Sequence, residues 1–342
     1  MTQAISDLID ISSYAGARVD YTQGGGGNTS VKDGGVMYIK ASGFKLKDIN
    51  ENTAYVPMDL NKIKAFYESV DLTDGRDYEA LNKQVTAEAT LKQEGLASLR
   101  PSVEVGFHSV LKKYVIHTHS IYANLITCCA TGEELAAKIF KDSDFGYVFL
   151  PYVDPGFMLS VKMGEAIKGY GEKTGKYAEV IFMKNHGLVV NGDDKQRVIA
   201  LNEEVNNAIE KYFGLKDEYR TVTLKEKGEN VFVSETKTVN EFVKTHTVDK
   251  AMLDKNSLYP DQLVYLNNLM AFSPEKIQIK NGTVEYHTSL KEAQTLEETL
   301  FAYVFVLKVI EENGLKLSLM NEKDIDFINN WEAEKYRRSL SK

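Results

Sequence analysis

An α/β fold with an α+β extension behind it is predicted by two features of this 342-residue sequence. As far as about residue 215, short apolar runs of strand length alternate with amphipathic helical stretches. Beyond about residue 220 the chain turns charged and β-prone. There, two alternating runs flank Asn281-Gly282, the signature of a type I′ hairpin. This length can bury a large core and implies two domains, or one domain with a long appendix. The expected division is residues 1–220 and residues 221–342.

The elements follow in order. Residues 3–20 read as a helix with apolar positions Ile5, Leu8, Ile9 and Ile11, broken by Gly24-Gly25-Gly26-Gly27. Residues 36–40 read as a strand and Ala41-Ser-Gly43 as the turn behind it. Residues 60–98 look helical and polar, with a loop near Asp74-Gly75. Ser102 is a candidate N-cap for a helix over 103–112. A strand over 115–119 and a helix over 121–129 come next. Thr131-Gly-Glu-Glu134 has the capping-box spacing and opens a helix through Lys141. Strands over 179–185 and 188–190 flank His186, and Asn191-Gly192 reads as a turn. Asp193 or Asp194 then caps a helix to Phe213 whose apolar face holds Val198, Leu201, Val205 and Ile209. Thr221–Val233 is β-prone, the hairpin joins 276–279 to 283–286, and helices over 291–312 and 322–340 close the chain. This last part shows no dense cluster of catalytic residue types and reads as a structural or assembly element.

Composition excludes several classes. Hydrophobic content of 43% with 26% charged residues is that of a soluble globular protein. A net charge of -8 argues against a nucleic-acid partner. No apolar stretch approaches the ~20 residues needed to span a membrane. The N-terminal segment lacks the basic and apolar parts of a signal peptide. Cys128 and Cys129 are adjacent, poor geometry for a structural disulfide. A reducing cytoplasm is the expected location.

The chemistry concentrates in a few residues. A strand points residues i and i+2 to the same side, so His117 and His119 converge on one point. They are either two strand histidines facing a polar groove or a pair of metal ligands, with His186 a candidate third. Three protein ligands and one open position is the catalytic pattern for Zn²⁺, other divalent ions remaining candidates. Glu104 is either a favourable anion in a helix's first turn or a general acid/base beside the metal. The glycine run is either a flexible connector or part of an anion cradle built from backbone N–H groups. Lys40, Lys45 and Arg100 read as solvated surface or as helpers to such a cradle. His108, four residues past Glu104, is a supporting partner or a surface histidine. His246 and His287 read as surface residues.

Gly27-Asn28-Thr-Ser30-Val, Lys40-Ala-Ser42-Gly43, Pro101-Ser102-Val-Glu104, His117-Thr-His119-Ser and Asn185-His186-Gly187 occur in the order seen in the class II aldolase/adducin family. The resemblance covers roughly residues 5–215. It implies a three-layer α/β/α sandwich with a central, mostly antiparallel sheet and the metal at its edge. Residues 1–220 then become the metal-dependent catalytic domain. It implies Zn²⁺ on His117, His119 and His186, with Glu104 as catalytic acid/base. It also implies a substrate phosphate held by Asn28, Ser42, Gly43 and Ser102. Val103 departs from the pattern, standing where phosphate-binding members often have a second serine.

The implied activity is cleavage or formation of a carbon–carbon bond of a ketose 1-phosphate, giving dihydroxyacetone phosphate and a small aldehyde. A sugar-phosphate 4-epimerase, a 3-oxo-acid-phosphate decarboxylase or a non-catalytic adducin-like module are the alternatives. Glutamate at position 104 favours the aldolase, since the epimerases carry aspartate there. Family members take a proton donor from a tyrosine near a subunit boundary; Tyr147, Tyr152 and Tyr170 are candidates. A homotetramer is implied. Leu258-Tyr-Pro-Asp-Gln-Leu-Val and Trp331-Glu-Ala-Glu-Lys-Tyr-Arg resemble the aldolase half of rhamnulose-phosphate aldolase/lactaldehyde dehydrogenase fusions, with residues 221–342 as a structural or oligomerisation extension that either extends the interface or covers the site.

Overall fold

A seven-stranded sheet carries the first two hundred residues. Its strands are β1 (Asn28–Asp33), β2 (Val36–Lys40), β3 (Tyr55–Asp59), β4 (Tyr114–Thr118), β5 (Gly146–Leu150), β6 (Ala178–Met183) and β7 (Gly187–Gly192). They lie in the order β3-β2-β1-β4-β7-β6-β5. Every neighbouring pair is antiparallel except β5 with β6. The structure is a computed structural model, and it describes residues 2–216, 221–267 and 276–330. The Trp331–Arg337 motif and the end of the helix expected over 322–340 lie outside these residues.

Side-chain alternation explains the layering. On β4, β6 and β7, Tyr114, Ile116, Val180, Phe182, Leu188 and Val190 face one core. Their alternates Val115, Ile181, Met183 and Val189 face another. The period of two thus buries both faces. The first face is covered by the helices Gln3–Gly16, Ile121–Thr127 and Lys195–Phe213. The second is covered by Leu60–Glu68, Val105–Val110 and Phe157–Thr174. This is the expected three-layer α/β/α sandwich with a mostly antiparallel sheet.

The extension adds an antiparallel sheet of β8 (Leu224–Gly228), β9 (Val231–Ser234), β10 (Ile277–Lys280) and β11 (Thr283–His287), in the order β10-β11-β9-β8. Asn281 and Gly282 join β10 to β11 with φ of 52° and 70°, as the expected hairpin requires. The helix Leu290–Glu312 is buried on nearly every side, Leu300 through Leu307 without a break. A helix apolar all round must lie inside a core. It packs on Ile121–Thr127, where the Tyr122 and Phe305 rings meet edge to face at 6.1 Å. One apolar core therefore runs from the first sheet into the extension. No helix among the described residues is long and apolar enough to cross a membrane.

Several local expectations are corrected. The helix expected over 103–112 is only Val105–Val110, with Glu104 rather than Ser102 at its N-cap. Thr131 makes no side-chain cap bond, so its spacing is not a capping box here. Asn191-Gly192 ends β7 instead of turning, because the Asn191 amide serves the neighbouring chain: it accepts from Lys112 N and donates to the carbonyl of Glu179. The helix opening the chain stops at Gly16, and the polar stretch after Ala89 is not helical.

Phe305→Ala should destabilise the protein by about 3–5 kcal/mol, the usual cost of an aromatic cavity. Because the core is shared, urea denaturation followed by circular dichroism should show one transition moved to lower urea. A second, unmoved transition would show that the two sheets unfold independently.

Candidate metal centre

The antiparallel order of the middle strands assembles the site. β4 lies at the centre of the sheet, between β1 and β7. Asn28 at the start of β1 pairs with His117 near the end of β4, and His117 also pairs with Val189 of β7. The start of β1, the end of β4 and the turn before β7 thus meet at one edge. His117 and His119 project there together, and His186 joins them from the turn between β6 and β7. That turn is held by Asn185 at φ 52°, whose amide donates to the carbonyls of Leu258 and Ser318 at 2.8 and 2.7 Å.

All three imidazoles are buried, and one ring nitrogen from each lies within 4.8 Å of the others. Ring centroids are 4.9, 5.1 and 5.3 Å apart, a nearly equilateral triangle. The ring partners fix the tautomers. His117 Nδ1 lies 3.0 Å from the Leu188 carbonyl oxygen, which can only accept, so Nδ1 carries the proton. His119 Nδ1 donates likewise to Asp261 Oδ2 at 2.5 Å. Both Nε2 lone pairs then face each other at 3.1 Å. Two lone pairs at that distance repel unless a proton or a metal cation lies between them. Nitrogens on a tetrahedral Zn²⁺ at ~2.05 Å are about 3.3 Å apart, so the donor set fits a divalent ion. Burial, aided by His119 and His186, pushes the His117 ring down to about 3, keeping it neutral as a ligand must be.

Glu104 stands against the triangle, Oε1 3.3 Å from His186 Nε2 and Oε2 3.5 Å from His117 Nε2. Burial acts to raise its carboxyl, but the facing imidazoles outweigh this and hold it well below the carboxylate range. Asn28 fixes it: Nδ2 donates to Glu104 Oε2 at 2.5 Å and to Ser102 Oγ at 3.0 Å. The Asn28 carbonyl in turn accepts from His108 Nε2, and His108 Nδ1 contacts Ser30 Oγ at 2.7 Å. His108 is wholly buried, a supporting partner and not a surface histidine. His246 is exposed as expected, whereas His287 is half-buried beside Glu285 at 3.5 Å and not an exposed surface residue.

Beside the histidines opens a small, narrow pocket. Its walls bring together Asn28, Ser42, Gly43 and Ser102 with Glu104, His119 and His186, and Val103 also faces it. Lys40 lines it too, against the surface reading: it is buried, its ammonium donating to the Phe44 carbonyl at 2.6 Å. Lys45 pairs with Glu298 at 3.0 Å, and Arg100 is exposed. None of Tyr147, Tyr152 and Tyr170 is in the wall. The glycine run is no loose connector. A Cβ on Gly26 would lie 2.2 Å from Asp261 Oδ2, and Gly27 has φ 68° with the His117 carbonyl 2.7 Å from where its Cβ would be.

Asp261 and Pro260 place the extension at the site, one of the two places expected for it. Asp261 lies 142 residues from His119 with no spacing to link them. Its motif, Leu258–Val264, was legible only as a resemblance.

Residues 7–213 match the model of the class II aldolase and adducin N-terminal domain. A relative from Bacillus subtilis (strain 168), the uncharacterized oxidoreductase YuxG, is 26% identical over 223 residues, 61% of this chain and 30% of its own. The chain thus spans about a third of that relative's length. The N-terminal class II aldolase domain of a conserved Thermoplasma acidophilum protein superposes with a TM-score of 0.50 at 25% identity, covering 62% of this chain and 94% of that one. An L-fuculose 1-phosphate aldolase matches at 21% identity with a TM-score of 0.42, covering 62% and 85%. The match over residues 7–213 takes in more than half of the sequence, and this chain belongs to the class II aldolase and adducin family.

Proposed function

We propose that this protein is a divalent-metal-dependent lyase that cleaves or forms a carbon–carbon bond of a ketose 1-phosphate, with dihydroxyacetone phosphate and a small aldehyde as its products. The observation that carries the reading is the meeting of three histidine nitrogens within 4.8 Å, with a buried carboxylate against them and a pocket alongside. His117, His119 and His186 would hold the ion, Zn²⁺ before other divalent metals. A bound ion supplies Lewis-acid polarisation of substrate oxygens.

The chain's own groups do the rest. Glu104 sets its carboxylate oxygens at the histidine edge, where they can accept a proton from a substrate hydroxyl brought there. Asn28 keeps that carboxylate aimed. Ser42 and Ser102 offer hydroxyls, Gly25, Gly27 and Gly43 bring backbone to the wall, and Lys40 adds positive charge to the same pocket. This is the chemistry a phosphate needs. Residues 1–220 then carry catalysis, with 221–342 supporting the fold and closing one wall. A cytoplasmic homotetramer completes the proposal and rests on the family resemblance.

His117→Ala should remove both bound metal, by elemental analysis, and aldehyde release from ketose 1-phosphates. Undiminished cleavage by metal-stripped protein would overturn the reading. Glu104→Gln should keep its metal and lose about 10²–10⁴-fold in kcat, the range for a general acid/base. Product analysis checks the reaction itself: a 4-epimer or carbon dioxide in place of an aldehyde would replace the lyase with a different outcome at the same centre.

A further inference from the structure

We infer that Asp261, delivered by the C-terminal extension, is a positioning residue for the metal centre. The inference rests on the metal-binding reading above. Its one bond that matters runs from His119 Nδ1–H to Asp261 Oδ2 at 2.5 Å. Both side chains are buried, Asp261 1% and His119 5% exposed. A carboxylate withdrawn this far from water makes a charge-assisted bond about twice as strong as a neutral one. That bond does two things to the ring. It holds the Nδ1 proton in place, leaving the Nε2 lone pair directed at His117 and His186. It also shares negative charge with the imidazole and raises its basicity as a ligand.

The surroundings show that the contact is built. Gly26 passes so close that any side chain there would overlap both partners, a Cβ lying 2.2 Å from Asp261 Oδ2 and 2.7 Å from His119 Nδ1. Asp261 sits immediately before the buried helical turn Gln262–Asn267. The Gln262 side chain locks that turn, accepting from Leu258 N at 2.8 Å and donating to the Leu253 carbonyl at 2.9 Å. The same Leu258 supplies the carbonyl that receives the Asn185 amide, next to His186. One short segment, Leu258 to Asp261, therefore sets the approach of two of the three histidines. The third, His117, takes its orientation from a backbone carbonyl of β7 instead.

The test uses the full chain with three substitutions, Asp261→Asn, Asp261→Ala and, for comparison, His117→Ala. Each protein is stripped with a chelator and titrated with Zn²⁺ against a chromophoric competitor. Each is then loaded with Co²⁺ for its visible spectrum. Asp261→Ala should weaken Zn²⁺ binding about 10–100-fold, the usual cost of losing a ligand's supporting carboxylate. Asp261→Asn keeps size and an acceptor but loses the charge, so it should lose less affinity and still shift the cobalt bands. Wild-type affinity and spectrum in both Asp261 variants, with binding lost in His117→Ala, would overturn this inference alone. A lower melting temperature of the metal-free variants with an unchanged cobalt spectrum would overturn it too, since that is the mark of a purely structural contact. No binding by the unsubstituted chain that depends on His117 would overturn both this inference and the reading beneath it.

Discussion

Two imidazole nitrogens face each other at 3.1 Å, each with its proton committed to the far side of its ring. Left as they are, these lone pairs repel, and the fold gains nothing by holding them together. A divalent ion at the proposed centre would turn that repulsion into coordination. Much of the architecture follows from that constraint. β4 must be central so that neighbours on both sides can clamp it, and β1 and β7 must run antiparallel to it so that their starts fall at its end.

The second constraint is the buried polar chain behind the histidines. Ser30, His108, Asn28, Ser102 and Glu104 are linked side chain to side chain and nearly excluded from water. Buried polar groups of this kind are costly unless each finds a partner, and they rigidify the site once satisfied. The cost is borne by the apolar faces around them. Phe107, which packs edge-on against His117 at 5.7 Å, and the Val115–Val189 side of the sheet exclude water from the rings. Burial also keeps the His108 ring well below its ordinary value, hence neutral and able to accept on one nitrogen while donating from the other.

What could be read from the sequence was what is local. The His117-Thr-His119 spacing needs only the two-residue period of a strand, and Asn281-Gly282 needs only its own turn geometry. β1 escaped because Asn28-Thr-Ser-Val-Lys-Asp33 is almost wholly polar; its burial comes from strands on either side, not from its own apolarity. Ser102 resembled a helix cap, yet its hydroxyl is taken up by the Asn28 amide and the Glu104 backbone. Lys40 resembled a surface lysine because nothing in its neighbours reveals the three carbonyls around its ammonium. Asp261 stood inside a resembling motif, but its role was not legible there, since its partner is brought to it by the tertiary fold.

Asn185 carries a consequence for how the molecule is made. Its left-handed backbone and its two amide bonds fix the chain just ahead of His186, but the acceptors are Leu258 and Ser318. On the ribosome those carbonyls emerge 73 and 133 residues after Asn185 itself. Until they arrive, the sheet can form while the bend before His186 lacks its anchors. The local bend before His186 thus gains both of its anchors only from residues made well after all three imidazoles.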